Sequence, residues 1–79
     1  MTRSIEDAIL DTLAARPAGA SIAPEEAARA ADPEGWHSRI AQVRATAVGL
    51  AREGRLVILR KGKPVDPEDF KGVYRLRLP

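Results

Sequence analysis

Residues 54–78 read GRLVILRKGKPVDPEDFKGVYRLRL, and the two ends of this stretch decide the fold. Leu56-Val57-Ile58-Leu59 is a short apolar run bounded by Arg55 and Arg60. In Val73-Tyr74-Arg75-Leu76-Arg77-Leu78 the even positions are apolar, and Arg75 and Arg77 fall on the other side. Such alternation marks an antiparallel strand with one face on a core and one in water. Strands are therefore expected over about 55–60 and 73–78. Residues 61–72 contain two prolines and two glycines and read as one long hairpin loop, which Val65 or Phe70 pins back onto the body. An isolated two-stranded hairpin is barely stable in water, so this one needs helices to pack against.

Those helices lie upstream. Gly54 supplies a left-handed C-cap for a helix over about 36–53. Trp36, Ile40, Val43, Ala47, Leu50 and Ala51 recur on one side of it with a 3.6-residue period. The opposite ridge reads Ser38, Ala41, Ala45, Gly49 and Arg52, small enough for close approach by helix one or two of the same chain. Asp32-Pro33-Glu34-Gly35 is a break by its turn chemistry, although Asp32 and Pro33 could also serve as N-cap and N1 of the next helix. A second helix, about 24–31, opens with Pro24 at its first position and Glu25 and Glu26 in the turn where the dipole favours acids. A first helix, about 4–16, has Ser4 as N-cap and a stripe of Ile5, Ala8, Ile9, Thr12 and Leu13. Ser21-Ile22-Ala23 is a strand stub, with Ile22 turned inward at a sheet edge.

The expected fold is therefore α+β: a single domain over 1–79, with three helices and a C-terminal two- or three-stranded antiparallel sheet. Helix, stub, helix, turn, helix, strand, loop, strand is the order of a winged helix-turn-helix. Fourteen of the 79 residues are alanine and three are aromatic, so the core is thin and relies on close helix contact.

Composition removes several functional classes. Without cysteine there are no disulfides, thiol nucleophiles or thiolate metal sites, and a single histidine, His37, makes no histidine-based metal cluster. No apolar run approaches the roughly 18 residues of a membrane span. The N-terminus has no long apolar h-region, so a cytoplasmic protein without membrane association is expected. His37 and Ser38 are adjacent on a helix and point about 100° apart, so they make no catalytic dyad. The glycines form no phosphate-cradling motif, and Asp66, Glu68 and Asp69 lack the spacing of a calcium loop. The expectation is a protein that is not an enzyme and carries no cofactor or metal.

Several segments also resemble a small bacterial family of unknown function with a winged-helix-like fold. They are residues 24–29 (PEEAAR), Trp36, Val43-Arg44, Gly54-Arg55-Leu56, residues 61–67 (KGKPVDP) and residues 72–76 (GVYRL). The resemblance runs from about Ile5 to Leu78, and KGKPVDP is its most specific part. It implies a fold and no catalytic residues. The chain departs from the pattern at Ala27, where a bulkier apolar residue is expected, and at His37, where a basic one is.

Charge carries the functional expectation. Residues 1–35 hold three basic and seven acidic side chains, a net of −4, whereas residues 36–79 hold ten and four, a net of +6. Such polarity suggests an anionic partner. In a winged helix-turn-helix the third helix enters the major groove and the wing touches the backbone. Arg39, Gln42, Arg44 and Arg52 on helix three are the candidates there, Arg39 and Gln42 suited to guanine and adenine edges. Lys61, Lys63, Lys71, Arg75 and Arg77 are candidates for phosphate contact. Asp66, Glu68 and Asp69 offset the three lysines of residues 61–72, which lowers the grip of that loop unless the acids fold away. Double-stranded DNA is the expected partner. The alternative is a protein-interaction module that binds a protein partner or a second copy, through the small-residue ridge or an exposed hairpin edge.

Overall fold

The structure is a computed structural model and describes residues 4–79. The first helix, α1 (Ile5–Ala14), is capped by Ser4, whose hydroxyl accepts the Asp7 N–H at 3.1 Å. It buries Ile5, Ala8, Ile9 and Leu13. It stops short of residue 16 because the Arg16 N–H turns back to the Leu13 carbonyl at 3.1 Å, tightening the last turn ahead of Pro17.

After the stub β1 (Ser21–Ile22), Pro24 opens α2 (Pro24–Ala31). Ala23 at the N-cap has no side-chain acceptor, and Glu26 compensates by accepting the Ala23 N–H at 2.8 Å. Pro24, Ala27, Ala28 and Ala31 are the buried residues of α2, and its most extensive helix contact is with α1. Alanine here is thus the residue that allows close approach.

The third helical segment divides. Trp36–Arg39 is a 3₁₀ turn, and α3 proper is Ile40–Arg52. The break has a local cause. The Ser38 N–H and hydroxyl both bond the Gly35 carbonyl, at 3.1 and 2.8 Å, which fixes an i→i−3 pattern. Asp32 accepts the Gly35 N–H at 2.9 Å and closes the turn before it. At the other end Gly54 has φ 76, its N–H bonds the Ala51 carbonyl and the Arg55 N–H bonds the Leu50 carbonyl. This is a Schellman termination, and it needs a residue that accepts positive φ.

The sheet has four strands, two of them short. Its order is β1, β4 (Arg75–Arg77), β2 (Val57–Arg60), β3 (Lys63–Pro64), all antiparallel. Ile22 pairs with Leu76 and is fully buried, so the stub sits at a sheet edge and points inward as expected. The extra strand corrects the reading of residues 61–72 as one long loop. Lys61 (φ 53) and Gly62 (φ 79) form a two-residue turn, and the chain doubles back immediately. Positive φ at both central positions is the geometry that suits a twisted hairpin. For lysine that conformation costs about 1 kcal/mol relative to glycine.

Residues 65–74 then cross back to β4. Val65 packs against the core, and Phe70 and Tyr74 enter it, their rings 5.2 Å apart edge to face. The core lies between the three helices and the sheet face that carries Ile58 and Leu76. No helix among the described residues is long and apolar enough to cross a membrane.

Candidate functional site

The outward face of α3 is open. Ser38, Ala41, Gln42, Ala45 and Arg52 are exposed, whereas Val43, Ala47 and Leu50 are buried. The small-residue ridge expected to pack on helix one or two therefore faces solvent. A Cβ built at Gly49 would meet no atom within 4 Å, so the ridge stays open toward its C-terminal end.

The cations proposed from the sequence do not share one state. Arg39 lies in the 3₁₀ turn, with Nε 3.4 Å from Asp32 and one terminal nitrogen donating to Gln42 at 3.3 Å. The Gly35 N–H, and after it Arg39, hold the Asp32 carboxyl below its ordinary 3.8. Arg44 turns away from the open face. Its guanidinium lies 3.9 Å over the Phe70 ring and donates to the Phe70 carbonyl at 2.8 Å. Arg52 grips Glu68 with two hydrogen bonds, and the pair shifts both groups, Arg52 upward and Glu68 downward. These two arginines fasten residues 65–71 to the flank of α3.

On the sheet, register places Arg75 beside Leu59 and Arg77 beside Val57, on the face away from the core. Arg75 donates to the Ser21 hydroxyl at 2.7 Å and the Ser21 carbonyl at 3.0 Å, and lies 4.0 Å from Glu26. Glu26 also holds Arg16, so one carboxylate ties α2 to the loop after α1 and to β4. Among the described residues Arg77 donates to the Leu78 carbonyl alone, at 3.3 Å.

Lys61 lies in the hairpin turn and Lys63 just after it, and both are exposed. Among the described residues no carboxylate lies within 4 Å of Lys61, Lys63 or Lys71. Two of the three acids of the loop are directed elsewhere, and Asp69 stays beside Lys61 and Lys71. Glu68 is on Arg52, and Asp66 accepts the Glu68 N–H at 2.9 Å. The zero net charge of residues 61–72 therefore conceals separated charges.

Sequence reasoning missed Arg60. It follows a strand residue and reads as a simple boundary charge, yet it donates to the Lys71 carbonyl, and its Nε is buried without an acceptor. It also missed the side-by-side packing of Arg29, Trp36 and His37. Arg29 lies 4.4 Å over the indole, and the two rings stack at 3.6 Å. Val73 is 85% exposed at a groove of about 490 Å³ lined by Ala23, Pro24, Ile40 and Tyr74 together with the charged Glu25 and Arg75. The Tyr74 hydroxyl is buried with no partner among the described residues, and burial pushes the phenol above its ordinary 10.0. No group of three or more histidine or acidic residues is placed to hold a metal among the described residues.

Three helices over one face of a four-stranded antiparallel sheet, with a cation-rich hairpin, define a small α+β domain. The chain belongs to DUF3253, a family described as protein of unknown function, which matches residues 2–79. No curated protein matches it.

Proposed function

We propose that this chain is a winged-helix domain that binds nucleic acid, double-stranded DNA in the first instance, through the outward face of α3 and the lysines of the β2–β3 turn. One observation carries the reading: among the described residues no element covers Ser38, Ala41, Gln42 or Ala45, and all four are exposed. Small side chains let a helix sit deep in a major groove about 12 Å wide. Arg39 and Gln42 stand at the N-terminal end of that face, where a recognition helix meets base edges. Lys61 and Lys63 have no ion pair among the described residues and supply the backbone contacts. Arg44, by contrast, is a clamp on the loop in this account, and Arg52 reaches phosphate only by giving up Glu68.

The test is anisotropy of a labelled duplex against wild type and Ala45→Leu. The substitution adds bulk at an exposed site, so folding stability stays within about 0.5 kcal/mol. Affinity is expected to fall at least about tenfold, which corresponds to roughly 1.4 kcal/mol of binding free energy. Unchanged affinity would contradict the assignment of the face. The protein-interaction reading has its own support in the exposed Val73 and the largely apolar groove beside it, which Glu25 and Arg75 also line. Under that reading Val73→Lys abolishes partner capture, and duplex affinity at low salt is nil.

A further inference from the structure

Away from the open face of α3, three cations surround one hollow. Arg60 ends β2, Lys61 begins the turn and Lys71 comes from the crossing segment. With Val65, Asp69 and Phe70 they line a depression of about 360 Å³. Asp69 is the one acid of that lining, against three bases. Neither lysine has a carboxylate within 4 Å among the described residues. Arg60 likewise has no carboxylate within 4 Å among the described residues: it donates to a neutral carbonyl, that of Lys71, and its Nε is buried behind the outer nitrogens of the guanidinium.

The walls are held from both sides. Arg44 bonds the Phe70 carbonyl at 2.8 Å, and Arg60 bonds the next carbonyl along the chain. Gly72 makes room for this, since a Cβ there would lie 3.1 Å from the Arg60 guanidinium. The lysine at position 61 is not what the fold prefers. A left-handed turn position favours glycine or asparagine, so folding alone gives no reason for an ammonium group there.

We propose that this hollow is a phosphate-binding site. Two ammonium groups and a fixed guanidinium present donors to phosphoryl oxygens, and charge-assisted bonds of this kind are the strong ones. The ligand is a phosphoryl group, either free as phosphate or pyrophosphate or esterified in a nucleic-acid backbone. The site shares Lys61 with the proposed duplex interface but needs no residue of the α3 face, so Lys71 and the α3 face test the two separately.

The experiment is an amide-resolved NMR titration of isotope-labelled protein with sodium phosphate and then pyrophosphate, at neutral pH and low salt. Saturable shifts are expected at residues 60–62 and 70–72. Lys71→Gln is expected to weaken pyrophosphate binding by at least about fivefold. Lys61→Gly weakens it similarly while raising the melting temperature, which separates ligand contact from folding. The absence of a saturable response, or a response that both variants leave intact, overturns the proposal. A short duplex that displaces pyrophosphate identifies the esterified source, and one that does not identifies the free anion. A duplex that binds through α3, with no phosphate response at residues 60–62 and 70–72, removes the hollow and leaves the α3 reading in place.

Discussion

Arg44 shows how far a side chain's role depends on what the fold brings to it. On helix three it reads as a nucleic-acid contact. In the structure it is sandwiched against Phe70, with Tyr74 just beyond at 5.7 Å. A guanidinium on an aromatic face, bonded to a carbonyl 26 residues away, fastens a loop. Tyr74 itself carries a cost, because its hydroxyl is buried and unpaired. Tyr74→Phe is therefore expected to be neutral or to stabilise by up to about 1 kcal/mol in denaturant unfolding. A clear loss would mean that the hydroxyl has a partner. Asp32 gives a pH signature. Its carboxyl lies below its ordinary 3.8 in the folded state, chiefly through the Gly35 N–H. A depressed acid contributes stability above its unfolded value and loses it as pH falls through the folded one. The stability gap between wild type and Asp32→Asn should be constant near neutrality and close below about pH 4.

Elements were legible where a pattern was local. The alternation of residues 73–78 gave the facing of Tyr74 and Leu76. The strand itself is only Arg75–Arg77, and Leu78, expected to face the core, is exposed past its end. Gly54 gave α3 its stop. The Ser4 cap and Pro24 at N1 were equally readable, because each acts through bonds or dihedrals within one turn. β3 was not readable: Lys63-Pro64 has no strand propensity, and it pairs only because the Lys61-Gly62 turn reverses the chain. The open ridge of α3 was misjudged for a related reason. Small residues suit burial and exposed close approach equally, and only the placement of α1 and α2 decides between them. Gly49 tests that placement. Gly49→Ala puts a methyl into open space within a helix, so it should stabilise by about 0.5–1 kcal/mol. For a domain of this size that raises the melting temperature by several degrees, roughly 4–8 °C per kcal/mol. Destabilisation would mean that the ridge is packed.

At the scale of the whole molecule, compactness and charge separation meet. The radius of gyration is 11.5 Å, close to the roughly 11.6 Å of a fully compact chain of this length. The crossing segment is thus folded in, and the hairpin turn is left as the cationic projection. The core is small. Loss of Leu76, fully buried on the central strand β4, should cost about 2–5 kcal/mol in Leu76→Ala. That is a large share of the stability of any domain this size, and thermal unfolding would register it. The polarity of charge along the sequence was visible from the start. Which charges are spent internally was not, because ion pairs such as Arg52–Glu68 and Arg75–Glu26 join residues far apart in the chain.

The central claim is that the open face of α3 and the exposed lysines of the hairpin turn meet a polyanion. Its most direct test is the affinity for duplex DNA measured between about 50 and 200 mM salt. Release of counterions from about four phosphates predicts a log–log slope near −3.6, reduced by roughly one unit for each of Lys61→Gln and Lys63→Gln. Absence of binding at the lowest salt, or a slope that neither substitution changes, would contradict the account.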